Sequence, residues 1–152
     1  MGGSEKGAGS ALPPDFETHW IDHSNAHWLD AVAEGVFDHA IDPDRLKAYL
    51  TNSLNWMCVA LHDDVVVGMC MSVIHLHPDK PTELFLDEIG TGDDWRRQGI
   101  ARRLMQMVFD RCDAEEIDEI WLGTEPDNLP ARGLYESTGA KGEAALIYYL
   151  EW

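Results

Sequence analysis

The stretch Trp95-Arg96-Arg97-Gln98-Gly99-Ile100-Ala101-Arg102-Arg103-Leu104 constrains the fold more than any other part of the chain. It follows the apolar run Leu84-Phe85-Leu86-Asp87-Glu88-Ile89. It leads into Ala101, Leu104, Met105, Val108 and Cys112, whose spacing is that of one helix face. A strand must therefore end, turn and feed a helix within a few residues. Gly99 permits a tight bend, or a ligand approach that no side chain blocks. The first amides of a helix are unpaired, and with the helix dipole they attract anions. Four arginines fall in this stretch, although the chain has only 11 Lys and Arg against 28 Asp and Glu. Basic charge gathered at one turn of an acidic protein points to a phosphate-bearing ligand. For Arg102 and Arg103 an ordinary solvated helix face is an equally good account.

A chain of 152 residues accommodates one domain with a real core. That domain is expected over residues 15–152. Residues 1–14, rich in Gly and Ser at their start, are expected to be a disordered N-terminal tail or a tag remnant. They show no signal-peptide segment, and no apolar run reaches the roughly 20 residues of a membrane span. Cys58, Cys70 and Cys112 sit in apolar patterns without metal-like spacing, which suits buried thiols in a cytoplasmic protein. A net charge of −17 argues against nucleic acid as a partner. It suits a cationic substrate, and equally a charge kept for solubility.

The remaining elements alternate. Phe16 to Ile21 reads as a strand. Asp22 or Ser24 can cap a helix carrying Trp28, Val32, Val36 and Phe37. Asp42-Pro43 opens a second helix with Leu46 and Leu50 on one face. Trp56 to Leu61 and Val65 to Ile74 form a hairpin about Asp63-Asp64, and Glu83 to Ile89 is the next strand. After the arginine turn and its helix come a strand over Ile117 to Leu122 and a helix over Asn128 to Thr138 that stops at Gly139. A strand over Ala144 to Leu150 is the last element. This order predicts an α/β domain, a mixed sheet with helices on its faces.

No dinucleotide G-x-G-x-x-G fingerprint or Walker A loop is present. His75 and His77 alternate along a strand, but with no third ligand in view they suit a surface or substrate groove better than a metal. The decisive pair is Arg96-x-x-Gly99-x-Ala101 followed by Asn128-Leu129-Pro130-Ala131-Arg132-Gly133-Leu134-Tyr135-Glu136-Ser137-Thr138-Gly139. Together they resemble the GNAT superfamily of N-acetyltransferases over about Phe16 to Trp152. Within it, Glu83 to Ala101 and the Leu-Tyr helix are similar to the type I aminoglycoside 3-N-acetyltransferase-like group. The resemblance implies a mostly antiparallel central sheet flanked by helices on both faces. It also implies acetyl-CoA as cosubstrate, with no metal, and a small-molecule amine as acceptor. Homodimerisation stays open.

It further implies roles for individual residues. Arg96, Arg97, Gln98, Gly99, Ile100, Ala101 and Arg102 would hold the pyrophosphate, and Asn128 and Ala131 would line the pantetheine. The backbone at Ile89, Gly90 and Thr91 would meet the pantetheine and thioester. Arg97 stands where a glycine is usual, Ala101 where the last glycine is usual, and Thr91 where a valine is usual. Transfer to an amine of pKa near ~10.4 needs a base. Glu88 is the expected one, with Asp87 as its alternative on the opposite face unless a bulge intervenes. Tyr135 is the expected acid for the departing thiolate, or else a core aromatic beside Ala131, Leu134 and Thr138. Other readings are an acetyltransferase acting on proteins or peptides, and a non-catalytic acyl-CoA-binding module.

Overall fold

The computed structural model describes residues 15–152; the expected tail lies outside them. The described chain forms two compact units, through Leu122 and from Gly123 onward.

The first unit is built on a five-stranded sheet in the order β1-β2-β3-β4-β5. The strands are β1 (Phe16–Trp20), β2 (Asn55–His62), β3 (Val65–His75), β4 (Glu83–Thr91) and β5 (Glu119–Trp121). The first four pair antiparallel, and β5 joins β4 in parallel. Asp63 and Asp64 both take positive φ, 48° and 63°, which is the twist a two-residue hairpin requires. Short polar side chains tolerate that conformation better than most.

Each face of the sheet has its own cover. On one side α2 (Ile100–Ala114) buries Ile100, Leu104, Met105, Val108 and Cys112. It settles closely because β3 has Gly68 beneath it, where a Cβ would collide with Ile100. On the other side Met57, Val59, Leu61, Val66 and Met69 pack with Ile21, Leu29 and Val36. Over this second core lies α1 (Pro43–Thr51), contributing Leu46, Tyr49 and Leu50. Asp42 caps it, its carboxylate accepting from the Arg45 amide at 3.0 Å, with Pro43 as the first helical residue. Burying side chains of this size contributes about 1.5–3 kcal/mol each. The mixed, mostly antiparallel sheet with helices on both faces is the architecture expected.

Two elements differ from expectation. The helix foreseen after Asp22 is only a 3-10 turn, Ala26–Asp30. Beyond it the backbone leaves helical geometry to pair with β3. The Val66 amide donates to Ala31 and the Ala33 amide to Val66, both at 2.8 Å, and Gly35 then turns with φ 90°. In the second unit α3 (Leu129–Ser137) is present and Gly139 takes φ 97° as a helix stop. The strand foreseen over 144–150 has not formed. A strand exists only through a hydrogen-bonding neighbour, and this unit contains none.

Candidate active site

The end of β4 is built differently from its start. β5 pairs with Glu83, Leu84 and Phe85 and then stops at Trp121. Past Phe85, β4 keeps its ladder with β3, where Ile89 faces Cys70, Gly90 faces Met69 and Thr91 faces Gly68. Its other edge has no ladder partner there among the described strands. Backbone donors and acceptors on that edge are available to a ligand laid along the strand.

The strand then runs through a 3-10 turn, Asp93–Trp95, into the arginine stretch. Arg97 takes φ 64° and Gly99 φ 81°, so two left-handed residues bracket Gln98. A left-handed residue followed by helix turns successive amides inward, the concavity that binds anions. Gly99 is the N-cap of α2 and, lacking a side chain, gives the first-turn amides no cap. Its carbonyl accepts from the Arg103 amide at 3.0 Å, so the helix begins there. A Cβ on Gly99 would have no described atom within 4 Å. The space beside Gly99 is thus open.

The side chains around the turn agree. Arg96, Arg97 and Gln98 are exposed, and Arg96 Nη2 lies 3.1 Å from Asp93 Oδ1. An ion pair this exposed contributes little to stability, so the guanidinium is readily redirected to a ligand. Ile100 anchors the turn by being buried on the sheet, while Ala101 and Arg102 are half-buried. The structure therefore gathers Arg96 to Arg102 at one turn after the end of β4.

Glu88 and Asp87 lie just upstream. Met71 stands opposite Glu88 and Ser72 opposite Leu86, so Asp87 is the extra residue of a β-bulge. Met71 packs on the α1-side core, and Glu88, its partner, shares that face. Glu88 is half-buried and Asp87 exposed. Partial burial holds the Glu88 carboxyl above the usual carboxylate range, and the negative charges of Asp38 and Asp87 push it the same way. Asp87 also acts on Tyr49 of α1, whose phenol is raised chiefly by burial and donates to the Trp56 carbonyl at 2.7 Å. The bulge thus lets both carboxylates act on the α1 side. Sequence reasoning missed Asp38, which has no motif around it.

Gly90 has a structural reason for being glycine. A Cβ there would overlap the Val36 carbonyl oxygen. In the second unit, Asn128 caps α3, its side-chain oxygen accepting from the Ala131 amide at 3.2 Å. Tyr135 is half-buried on that helix. At the far end of β4, His77 Nε2 meets Glu83 Oε2 at 3.2 Å, while His75 stacks on Phe85. Among the described residues no group of three or more His, Cys, Asp or Glu is placed to hold a metal. No helix among them is long and apolar enough to cross a membrane.

A mixed sheet whose fourth strand carries a half-buried carboxylate and ends in an uncapped, arginine-flanked helix start is chemically suited to an anionic ligand held beside a carboxylate. The profile of the acetyltransferase (GNAT) family matches residues 12–140, and the chain belongs to that family. Among curated relatives, the ribosomal protein bS18-alanine N-acetyltransferase of Escherichia coli K12 is 33% identical over 63 residues, covering 38% of this chain and 43% of the relative. The chain spans about half the length of the curated relatives it matches. Among solved structures, an aminoglycoside acetyltransferase from an uncultured soil metagenomic sample, in complex with trehalose, superposes with a TM-score of 0.76. The two are 16% identical, and the match covers 91% of this chain and 97% of that one. The aminoglycoside acetyltransferase AAC(6')-Iy, in complex with a bisubstrate analogue of CoA and acetylneamine, gives 0.72 at 18% identity over 90% and 98%.

Proposed function

We propose that this chain is an acetyl-CoA-dependent N-acetyltransferase acting on a primary amine. The observation that carries the reading is the open turn at Arg97–Gly99, set at the end of the strand that bears Glu88. Acetyl-CoA would supply the acetyl group as an activated thioester. Arg96 and Arg97 and the amides from Gln98 to Arg102 hold its diphosphate, which fixes the rest along the unpaired edge of β4. Backbone at Ile89, Gly90 and Thr91 orients the acyl end.

The chain's own groups then move protons. Glu88 takes one from the acceptor ammonium, which leaves a nucleophilic lone pair on nitrogen. As the N–C bond forms and the C–S bond breaks, the thiolate takes up a proton, and the family resemblance assigns its donation to Tyr135. A raised carboxyl makes Glu88 a stronger base than an ordinary glutamate, and Asp87 assists by its charge. The family resemblance assigns Asn128 and Ala131 to the pantetheine.

The acceptor is a cationic small molecule of the aminoglycoside or polyamine kind, in keeping with the net charge of −17. The likeness to a ribosomal-protein-alanine acetyltransferase supports a second reading in which a peptide N-terminus is the acceptor. A screen of aminoglycosides, polyamines, amino acids and peptides with acetyl-CoA, read as released thiol, tests both. Turnover with small polyamines bears out the first reading and turnover with peptides alone the second. Acetyl-CoA binding without turnover on any amine leaves only a non-catalytic binding module.

A further inference from the structure

The segment 31–38 crosses the α1 side of the sheet on a fixed course. Ala31 and Ala33 are hydrogen-bonded to Val66, and the Asp93 amide donates to the Glu34 carbonyl at 2.9 Å. Val36 is buried, and its carbonyl fills the space a side chain would need at Gly90. Asp38 lies two residues after Val36, and Glu88 two residues before Gly90. The two stretches meet where Val36 approaches Gly90, and the Asp38 carboxylate is near enough to act on the Glu88 carboxyl.

We propose that Asp38 is a positioning residue for acetyl transfer: it accepts the hydrogen bond that Glu88 makes once Glu88 carries the proton taken from the acceptor amine. This rests on the reading of Glu88 as the base. In the step itself, the ammonium N–H bond breaks, its proton joins a Glu88 oxygen, and the electron pair stays on nitrogen. Two carboxylates in contact repel while both are charged, and one shared proton turns that repulsion into a charge-assisted hydrogen bond. Asp38 therefore favours proton uptake by Glu88 and holds the carboxyl in one orientation.

The charged groups acting on Glu88 are Asp38, from the 31–38 segment, and Asp87, from its own strand. β3 presents the uncharged Met71, and Tyr49 of α1, which burial keeps protonated, interacts with Asp87. The raised carboxyl of Glu88 agrees with this placement, and the approach of Val36 to Gly90 brings the two stretches together independently of it.

The test is Asp38→Asn in the full chain, with Asp38→Glu as the conservative variant and Glu88→Gln alongside. Carbon-13 carboxyl NMR should show Glu88 titrating at lower pH in Asp38→Asn. The acid limb of the pH–rate profile should move the same way, and plateau turnover should fall several-fold at unchanged KM for acetyl-CoA. Asp38→Glu should restore both. An unmoved Glu88 titration overturns the proposal, even if Glu88→Gln removes the acid limb and so upholds the base. An acid limb that survives Glu88→Gln shows instead that the base was misassigned, and the catalytic role of Asp38 falls with it.

Discussion

Gly99→Ala separates what the turn does for the fold from what it does for the ligand. Gly99 has φ 81°, where an alanine pays for its Cβ with about 1–2 kcal/mol of backbone strain. That Cβ has no described neighbour within 4 Å, so no packing cost is added. For a chain of this size the loss corresponds to a fall of roughly 2–8 °C in Tm. The added methyl instead stands in the space before the first amides of α2, where a diphosphate would lie. Losing one or two hydrogen bonds to a charged group, each about 1.5–3 kcal/mol, gives about 3 kcal/mol in binding. Kd for acetyl-CoA should then rise by roughly a hundredfold or somewhat more. Differential scanning and titration calorimetry on the same sample measure both effects. A variant that melts as expected yet binds acetyl-CoA within about threefold of the parent, against the loss inferred from those bonds, would refute the phosphate-turn assignment.

Tyr135→Phe should lower turnover about a hundredfold, the usual worth of a general acid, with acetyl-CoA affinity unchanged; parental turnover on a good amine would remove the acid role. Gly90→Ala should destabilise the chain by about 2–3 kcal/mol in urea unfolding, because its methyl meets the Val36 carbonyl, a backbone group that cannot rotate aside. Equal stability would show that the 31–38 segment is not held where it is described. Glu88→Gln should be more thermostable than the parent at neutral pH. A carboxyl raised in the folded state contributes stability below its unfolded pKa, and that contribution is lost as pH rises through the folded value. The difference in Tm should therefore vanish on acidification below the ordinary glutamate range, and a difference independent of pH would contradict the shift.

Much of this arrangement is legible in local chemistry. Asp42-Pro43 begins α1, Asp63-Asp64 makes the hairpin, Asn128 caps α3, and Gly99 and Gly139 take the left-handed conformations their places call for. These signals act within a few residues, so sequence carries them. The 22–37 region misleads because Trp28, Val32 and Val36 meet one core at helical spacing without a helix, the backbone being spent on β3 instead. Alternation at 144–150 specifies a face but supplies no partner strand. The choice between Asp87 and Glu88 turns on a bulge of one residue, which composition does not encode. Gly90 leaves room for Val36, and Glu88 is raised by burial and then by the charge of Asp38; both links join segments remote in the chain.

The central claim is that the turn from Arg96 to Ala101 grips the diphosphate of acetyl-CoA. Amide nitrogen–proton NMR during titration with CoA reads that turn directly. The largest shifts should fall on Gln98, Gly99, Ile100 and Ala101, and pantetheine, which lacks the diphosphate, should leave those four in place. Saturable CoA binding that moves amides elsewhere while these stay still would contradict it.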